Sequence, residues 1–182
     1  MSDVVPVGSA EYILLFALLA MSRGVDILST WVATPHLVLE ANPIVRKFGW
    51  RGSVILNVAL TSLLAMIPQV AIIVTTASLL VAARNFQMAW IARSMGEWAY
   101  RNWILERLTQ TQRGLYLFCL LGHVLMFFAV GAILIWQAKA NKIVWAIGVG
   151  FIAYAMIVVF YTWLPVRRVV GQERKRMLFP SS

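Results

Sequence analysis

Long apolar runs set the strongest constraint on what this chain can fold into. Four segments, at about 12–34, 52–83, 114–137 and 143–165, consist almost entirely of apolar residues. A helix needs about 20 such residues to cross the hydrocarbon core of a bilayer. Inside that core, only helices and closed barrels satisfy every backbone polar group. We therefore predict an all-α integral membrane protein with four transmembrane helices.

The composition agrees with that fold and narrows the class of function. Hydrophobic residues make up 61% of the chain and charged residues only 13%, whereas about a quarter of a soluble domain is usually charged. The 182 residues are enough for one membrane domain, and no separate soluble domain is predicted. The net charge of +9 comes from Lys and Arg residues in the gaps between the apolar runs, where they meet lipid headgroups. The bilayer is therefore the expected partner of these charges, and nucleic acid is not.

The second apolar run, 52–83, is unusually long. It contains 32 residues and no charge, which corresponds to a helix of about 48 Å against a hydrocarbon core of about 30 Å. Pro68 lies near its centre and lacks an amide donor. These features predict a single tilted helix that is kinked at Pro68.

Residues 86–109 are predicted to form an amphipathic helix along the membrane surface. Apolar side chains, Trp98 among them, share one face of a helical wheel, whereas Arg93, Glu97 and Arg101 line the opposite face at spacings of four. Tryptophan favours the headgroup level, which supports an interfacial position. The alternative is a continuation of the second helix beyond the membrane, packed on a partner.

The distribution of Lys and Arg predicts the orientation. Four spans place the amino terminus, the segment 84–113 and the tail 166–182 on one side, with ten basic residues against five on the other. Cytoplasmic loops carry the excess of basic residues. Both termini are therefore predicted to lie in the cytoplasm, with the protein in the cell inner membrane and its basic tail as a topology anchor.

A group of polar residues lies late in the first run and in the loop after it. Arg23 and Asp26 are three residues apart, so they share a helical face and can pair. Thr30 follows Asp26 by four residues, and Asn57 lies near the corresponding end of the second run. The complete predicted cluster is Arg23, Asp26, Thr30, His36, Glu40, Asn42 and Asn57.

These polar residues have a structural and a chemical interpretation. Asp26 either forms an ion pair with Arg23 that fixes helix packing, or acts with Glu40 as an acid and base pair. Asp26, His36 and Glu40 also offer groups that suit a metal ion. However, no tight ligand spacing such as His-Glu-x-x-His occurs, so neither a metal nor another cofactor is predicted.

The stretch Asp26-Ile-Leu-Ser-Thr30, followed by Glu40-Ala-Asn42-Pro43, resembles a pattern in a family of small, functionally uncharacterised prokaryotic membrane proteins. In that family, an Asp-x-x-x-Thr stretch late in one span precedes Glu-x-Asn-Pro in the following loop. The resemblance covers about residues 20–80. It implies that these residues form one local unit and assigns them no reaction. Asn42 also suits the N-cap of a helix that begins with proline.

Two features of the second half have structural predictions. His123 lies inside the third run without an adjacent charge, and we expect it to be neutral and hydrogen-bonded between helices. Ala146 and Gly150 in the fourth run are small enough to let a neighbouring helix approach closely.

Three functions are compatible with this sequence. The leading hypothesis is a non-enzymatic accessory or scaffold subunit of a membrane complex, because the chain is small and has no complete catalytic set. A second hypothesis is an intramembrane or interfacial hydrolase that uses Asp26 and Glu40 as its carboxylates. A third is a transporter or channel component in which Asp26 binds a cation, and with four spans this function requires a homo-oligomer.

Overall fold

The computed structural model describes residues 4–40 and 43–178, including the side chains of 4–40, 45–112 and 114–162. In this part of the chain all regular structure is helical. The helices are α1 (Ala10–Ala33), α2 (Pro43–Leu64), α3 (Pro68–Met95), α4 (Glu97–Gln110), α5 (Arg113–Ala138) and α6 (Lys142–Leu178). Four helical segments are long and apolar enough to cross a membrane, namely α1, α3, Gly114–Ala138 of α5 and Lys142–Thr162 of α6. The all-α fold and the number of candidate spans are thus confirmed for the described residues.

The second apolar run forms two helices and not the single kinked helix that was predicted. α2 ends at Leu64, and α3 begins at Pro68. In the turn between them, the amides of Met66 and Ile67 donate to the carbonyls of Leu63 and Leu64, at 3.2 and 3.0 Å. Proline is well tolerated in the first turn of a helix, where its missing amide has no intrahelical partner. Pro68 therefore starts a new helix.

The prediction of a single helix from the length of the run failed because both helices extend beyond the apolar run. α2 begins before residue 52, and α3 continues past residue 83 to Met95. α2 has 22 residues, with a kink at Gly49 where the backbone is not helical, and α3 has 28, although the run itself has 32. A run that is too short for two complete spans can therefore still contain the turn between two helices.

α1 and α3 lie side by side and point in the same direction. Arg23 Nη1 in α1 lies 3.1 Å from Ser78 Oγ in α3, and further along, Thr30 Oγ1 lies 3.2 Å from Asn85 Nδ2. Near the start of both helices, Leu19 belongs to the same buried apolar cluster as residues at the start of α3. The contacts thus proceed in the same order along both helices, which are therefore parallel.

α2 connects these two parallel helices and runs in the opposite direction. Trp50 Nε1 donates to the Pro35 carbonyl oxygen at 2.8 Å, just beyond the end of α1. Later in α2, the Ser62 carbonyl oxygen accepts from the Tyr12 hydroxyl at 3.2 Å, near the start of α1. α2 thus runs antiparallel to α1 over most of its length. It carries three basic residues in its first nine positions and is not one of the four candidate spans.

α5 and α6 form an antiparallel hairpin that packs on α3 through α6. A Cβ atom on Gly131 of α5 would lie 2.6 Å from the Gly148 carbonyl oxygen of α6. On Gly150 of α6, a Cβ atom would lie 2.6 Å from the Thr76 Cβ of α3. Ala146 is fully buried. The predicted close helix approach at the small residues of the fourth run is therefore confirmed.

The bundle has two ends, which we name after Val5 and Glu97. At the Val5 end, the Val5 amide donates to the carbonyl of Met66, in the turn before α3, at 2.8 Å. The linker between α5 and α6 also lies at this end, because Gly150 contacts the first half of α3. The Glu97 end contains the loop 34–40 and α4.

α6 runs from the Val5 end to the Glu97 end. Its residue Tyr161 lies within electrostatic range of Asp26 and Glu40, which are in the second half of α1 and the loop after it. The first and last described parts of the chain therefore lie at opposite ends of the bundle. α1 and α3 are parallel, whereas four alternating spans would make successive spans antiparallel. The orientation of the two termini in a membrane stays a prediction.

The segment 86–109 does not form one amphipathic helix. α3 continues through its first half to Met95, and Gly96, with a φ of 82°, breaks the helix before α4. Glu97, predicted on the polar face, is buried, whereas Trp98, predicted on the apolar face, is 64% exposed. The assignment of faces failed because the helical wheel assumed one register through the break.

Candidate functional site

The guanidinium of Arg23 joins three helices in the middle of the bundle. Its Nη1 donates to Asp26 Oδ2 at 2.8 Å and to Ser78 Oγ on α3 at 3.1 Å, and its Nε donates to Asn57 Oδ1 on α2 at 2.7 Å. Asn57 is held in place by a bond from its Nδ2 to the Ser53 carbonyl oxygen at 2.8 Å. We refer to Arg23, Asp26, Asn57 and Ser78 as the Arg23 cluster. It contains the ion pair predicted from the spacing.

The Asp26 carboxylate is directed into this cluster. Its side chain is 16% exposed, against 30% for that of Arg23. A cavity of about 230 Å³ lies beside the cluster, lined by Leu19, Arg23, Leu60, Thr61, Leu64 and Val74. Asp26 is not one of these lining residues, so its carboxylate does not face the cavity. The ion pair lowers the cost of placing both charges within a bundle of apolar helices.

Thr30 bonds to the main chain of Asp26 and not to its carboxylate. The Thr30 and Ser29 hydroxyls donate to the Asp26 carbonyl oxygen, at 3.0 and 2.8 Å. Both hydroxyls accept from Asn85 Nδ2, at 3.2 and 3.3 Å. Asn85 therefore ties α3 to α1 by the interhelical side-chain hydrogen bonds that membrane bundles commonly use.

Glu97 is the carboxylate around which the loop after α1 folds. Its Oε2 accepts from Thr34 Oγ1 at 2.5 Å and from the Val38 amide at 3.3 Å, and its Oε1 accepts from the His36 amide at 3.0 Å. His36 Nδ1 lies 2.8 Å from the same Oε1. The Thr34 hydroxyl in turn accepts from the Leu39 amide at 3.1 Å. We refer to Thr34, His36, Val38 and Glu97 as the Glu97 cluster.

The hydrogen bonds of this cluster favour the ionised form of Glu97. Burial acts to raise the pKa of the carboxyl group, but the bonds from Thr34, from the His36 amide and ring and from the Val38 amide together lower it. The net pKa of Glu97 is below its ordinary value, because donors aimed at a carboxylate stabilise its charge. Both oxygens are occupied, so Glu97 serves as the anchor of the loop.

Two of the residues that were predicted to act together have other partners. His36 contacts Glu97, and Asp26 pairs with Arg23. Glu40 is half-buried in the loop after α1, and its backbone amide donates to the Leu37 carbonyl at 3.4 Å. The described residues contain no group of three or more His, Cys, Asp and Glu side chains placed to hold a metal ion.

Other predicted residues have different outcomes. Asn57 joins Arg23, as its position in the second run indicated. Asn42 and its predicted N-cap lie outside the described residues. His123 Nε2 lies 3.2 Å from the Tyr154 hydroxyl, which confirms the predicted hydrogen bond between helices α5 and α6.

Sequence reasoning missed Glu97 and Ser78, which belong to these clusters, and Asn85, which ties α3 to α1. Glu97 was placed on a solvated face because of its regular spacing from neighbouring arginines. Gly96 immediately before it was the available signal, since glycine often ends a helix. Ser78 and Asn85 are seven residues apart, and this spacing puts two polar side chains on the same face of α3.

Comparisons with known proteins give no relative for this chain: no protein-family model, no curated protein and no solved structure matches it.

Proposed function

We propose that this chain is a non-enzymatic accessory or scaffold subunit of a larger protein complex in the cell inner membrane. The observation that carries the proposal is the outer face of α5. This helix packs chiefly against α6 and exposes large apolar side chains along its length, such as Phe118 at 75% and Trp136 at 88%. In a membrane, such a face is covered by lipid or by another protein.

The shape of this face favours a protein helix as its partner. Gly122 and Ala129 are both exposed and are seven residues apart, so they lie on the same side of α5. A Cβ atom on Gly122 would meet nothing within 4 Å. Small residues at such positions let a second helix approach closely, and close van der Waals packing drives helix association in lipid.

The carboxylates near α1 support a structural use and not a catalytic one. Asp26 is paired with Arg23 and does not line the adjacent cavity. Glu97 accepts hydrogen bonds on both of its oxygens from the loop after α1. A general acid or base needs an atom within hydrogen-bond reach of its substrate. In this arrangement both oxygens of Glu97 are occupied, and Asp26 uses its Oδ2 for the ion pair with Arg23.

We further infer that the Glu97 end faces the cytoplasm. Of the 16 Lys and Arg residues, 13 lie in the segments next to this end, namely the start of α2, the stretch 84–113 and the last part of α6. Two lie in the linker between α5 and α6. An excess of basic residues marks the cytoplasmic side of a membrane protein. The first described residues then lie on the opposite side, a revision of the orientation predicted from the sequence.

Cysteine labelling tests this orientation. Cys119 is the sole cysteine, so Cys119→Ser provides a background for either Val7→Cys at the Val5 end or Gln112→Cys at the Glu97 end. In intact cells, a membrane-impermeant maleimide is expected to label the first position only. Labelling of the second position alone would reverse the proposed orientation.

Photo-crosslinking in the native membrane tests the proposed function. A photoreactive amino acid is introduced at Phe118 or at Leu125 on the outer face of α5. The control position is Leu14 on α1, which is 60% exposed, as is Leu125. We expect both α5 positions to give one discrete adduct with a larger protein, and Leu14 to give none.

Native purification in mild detergent completes the test. The crosslinked protein should accompany the chain in stoichiometric amounts and leave it when Gly122→Leu blocks close approach to α5. Lipid adducts alone, together with a purified chain of monomeric mass, would contradict the proposal. An adduct between two copies of this chain would replace it with a homo-oligomer.

A further inference from the structure

The cavity beside the Arg23 cluster has a polar and an apolar part. It lies between α1, α2 and α3, with a volume of about 230 Å³. Its polar lining residues are Arg23 and Thr61, and its apolar lining residues are Leu19, Leu60, Leu64 and Val74. Leu19 is fully buried and lies at the base, whereas Leu60 is 43% exposed and lies at the rim. A small molecule can therefore enter the cavity beside α2.

Arg23 has hydrogen-bond donors that its own cluster does not use. Its Nε and Nη1 groups supply the bonds to the other members of the Arg23 cluster. The Nη2 group, which also carries N–H donors, makes no hydrogen bond with the described residues. The positive charge of Arg23 is already balanced by Asp26. A ligand of this cavity therefore needs an acceptor atom but no negative charge.

Thr61 adds a second unpaired polar group to the cavity. Its hydroxyl makes no hydrogen bond with the described residues. Among these residues, Ser53 Oγ is the one buried side-chain oxygen or nitrogen that is both fully enclosed and without a partner. The Thr61 hydroxyl is therefore not fully enclosed, and because the residue is only 4% exposed, the hydroxyl is accessible from the cavity. Arg23 and Thr61 thus both offer donors to the same cavity.

In the membrane location proposed above, on which this inference rests, the cavity lies deep in the hydrocarbon core. With one boundary of the core at Pro68, where the chain reverses, Ser78 lies about 15 Å along α3. Arg23 bonds to Ser78 at 3.1 Å, so its guanidinium is near the middle of a core about 30 Å thick. Phospholipid phosphates and ester groups stay at the boundary. The acceptor must therefore belong to a molecule that dissolves in the core.

The volume of the cavity limits the group that fits. An apolar cavity of about 150 Å³ accommodates benzene, whereas pockets for drug-sized ligands occupy about 300–1,000 Å³. The cavity of about 230 Å³ therefore holds one substituted ring. Membrane quinones combine such a ring, whose carbonyl oxygens are acceptors, with an apolar tail that can extend past Leu60 into lipid. We propose that this cavity binds the ring of a membrane quinone, with a carbonyl oxygen that accepts hydrogen bonds from Arg23 Nη2 and the Thr61 hydroxyl.

The donors of Arg23 also predict which redox form of the ligand binds more tightly. A guanidinium has no acceptor atom, so Nη2 pairs with a carbonyl oxygen but cannot accept from the hydroxyl of a quinol. The oxidised quinone should therefore bind more tightly than the quinol. A cavity that only covers an apolar ring would bind the two forms equally.

Equilibrium binding of decylubiquinone to the purified full chain tests this proposal. A scintillation proximity assay with the tritiated quinone measures the dissociation constant in mild detergent, where we expect saturable binding at one site. Thr61→Val should weaken binding about fivefold, the typical contribution of one neutral hydrogen bond. Val74→Phe, which fills the cavity, should abolish it. The reduced form of the probe should bind more weakly than the oxidised form, and tighter binding of the quinol would overturn the assignment of Arg23 as a donor.

Thr76→Val and Val130→Phe are the matched controls, because neither residue lines the cavity. The Thr76 hydroxyl donates to the Ile72 carbonyl oxygen of its own helix at 2.9 Å, and Val130 on α5 is 43% exposed. Both variants are expected to bind the quinone as the unmodified protein does. Equal losses in Thr61→Val and Thr76→Val would overturn the proposal, as would the absence of saturable binding to the unmodified protein. Thr61→Val keeps the shape of the side chain, so it decides the question even where Val74→Phe lowers thermal stability.

Competition with dioleoylglycerol separates a quinone site from a site for another neutral carbonyl compound. An excess of dioleoylglycerol is expected to leave the bound quinone in place. Displacement at equal concentrations would assign the cavity to acyl esters and overturn the proposal. The assay uses the isolated chain and does not involve the outer face of α5. Its failure therefore leaves the proposed subunit role intact, and the absence of a crosslinked partner on α5 leaves the quinone site intact.

Discussion

The two halves of the bundle use different interactions to hold their helices together. α1, α2 and α3 are joined by side-chain hydrogen bonds centred on Arg23 and Asn85. α5 and α6 are joined by close backbone approach at Gly131 and Gly148. Apolar burial drives little helix association in lipid, so helices that span a membrane depend on close packing and hydrogen bonds instead. Each half relies mainly on one of these two alternatives.

The difference follows from how each pair of helices is connected. Only the residues 139–141 separate α5 from α6, and so short a connection already makes the two helices antiparallel neighbours. α1 and α3 are parallel and have α2 between them in sequence, so the connection does not fix their register. Directional hydrogen bonds at Arg23, Asn85 and Glu97 supply that register. Polar groups are thus concentrated in the half of the bundle where the connections do not fix the helix register.

The largest effect is expected from Asp26→Leu, in the half that depends on polar contacts. This change leaves the Arg23 guanidinium within the bundle without its counter-charge, and breaking a buried ion pair costs about 3–5 kcal/mol. Because the Arg23 side chain is 30% exposed, we expect a loss near the lower limit, about 3 kcal/mol. Reversible unfolding in mixed micelles, followed by far-ultraviolet circular dichroism, measures it.

The double variant Arg23→Leu/Asp26→Leu is the control for this prediction. It removes both charges together and should recover more than half of the lost free energy of unfolding, since apolar replacements of a buried pair are often neutral. A double variant as unstable as Asp26→Leu would show that the hydrogen bonds of Arg23 to Asn57 and Ser78 contribute as much stability as the removal of the unpaired charge restores.

A smaller effect is expected from Gly131→Ala in the half that depends on fit. The added Cβ atom would lie 2.6 Å from the Gly148 carbonyl oxygen, and overpacking of this kind costs about 1–3 kcal/mol. Gly122→Ala is a matched control on the same helix, with nothing within 4 Å of its Cβ position. It should stabilise the protein by up to about 1 kcal/mol, because alanine is the better helix former. Losses of equal size in the two variants would contradict a contact-specific role for Gly131.

The positions of the apolar helices were predictable from the sequence, but their directions were not. Apolar length identifies a span whichever way it points, and the run 52–83 contains no charge that marks its central turn. Pro68 is compatible with either a kink or a helix start, so that residue alone does not decide between them. The directions of the helices could have been inferred from the way the basic residues divide between the two ends of the bundle. The observed topology divides them 13 to two, a stronger asymmetry than the ten to five of the predicted arrangement.

The candidate site was predictable only where its residues are neighbours in sequence. Arg23 and Asp26 form an i, i+3 pair, and helical periodicity gives that contact directly. Glu97 lies 61 residues after His36, and its contact depends on the parallel packing of α1 and α3. Because that packing was not predicted, the partner of His36 was assigned to the carboxylates nearest in sequence, Asp26 and Glu40.

The smallest expected effect concerns the Glu97 cluster, in which the loop after α1 contacts the start of α4. Glu97→Gln is expected to cost about 1 kcal/mol, because an amide nitrogen replaces one acceptor among several donors. Hydrogen exchange of the His36 and Val38 amides measures this loss locally, since both amides donate to Glu97.

The same bonds predict how the loop responds to acid. The pKa of Glu97 is lower in the folded protein than its ordinary value, so its contribution to stability is complete above about pH 4.3, the ordinary pKa of glutamate. That contribution is lost as the pH falls through the lower folded pKa. We therefore expect unchanged protection of the His36 and Val38 amides from pH 7 to about pH 5 and a loss of protection only below about pH 4. Glu97→Gln should remove this acid dependence. An acid transition that persists in Glu97→Gln would instead assign it to another carboxylate, with Glu40 in the same loop as the first to replace.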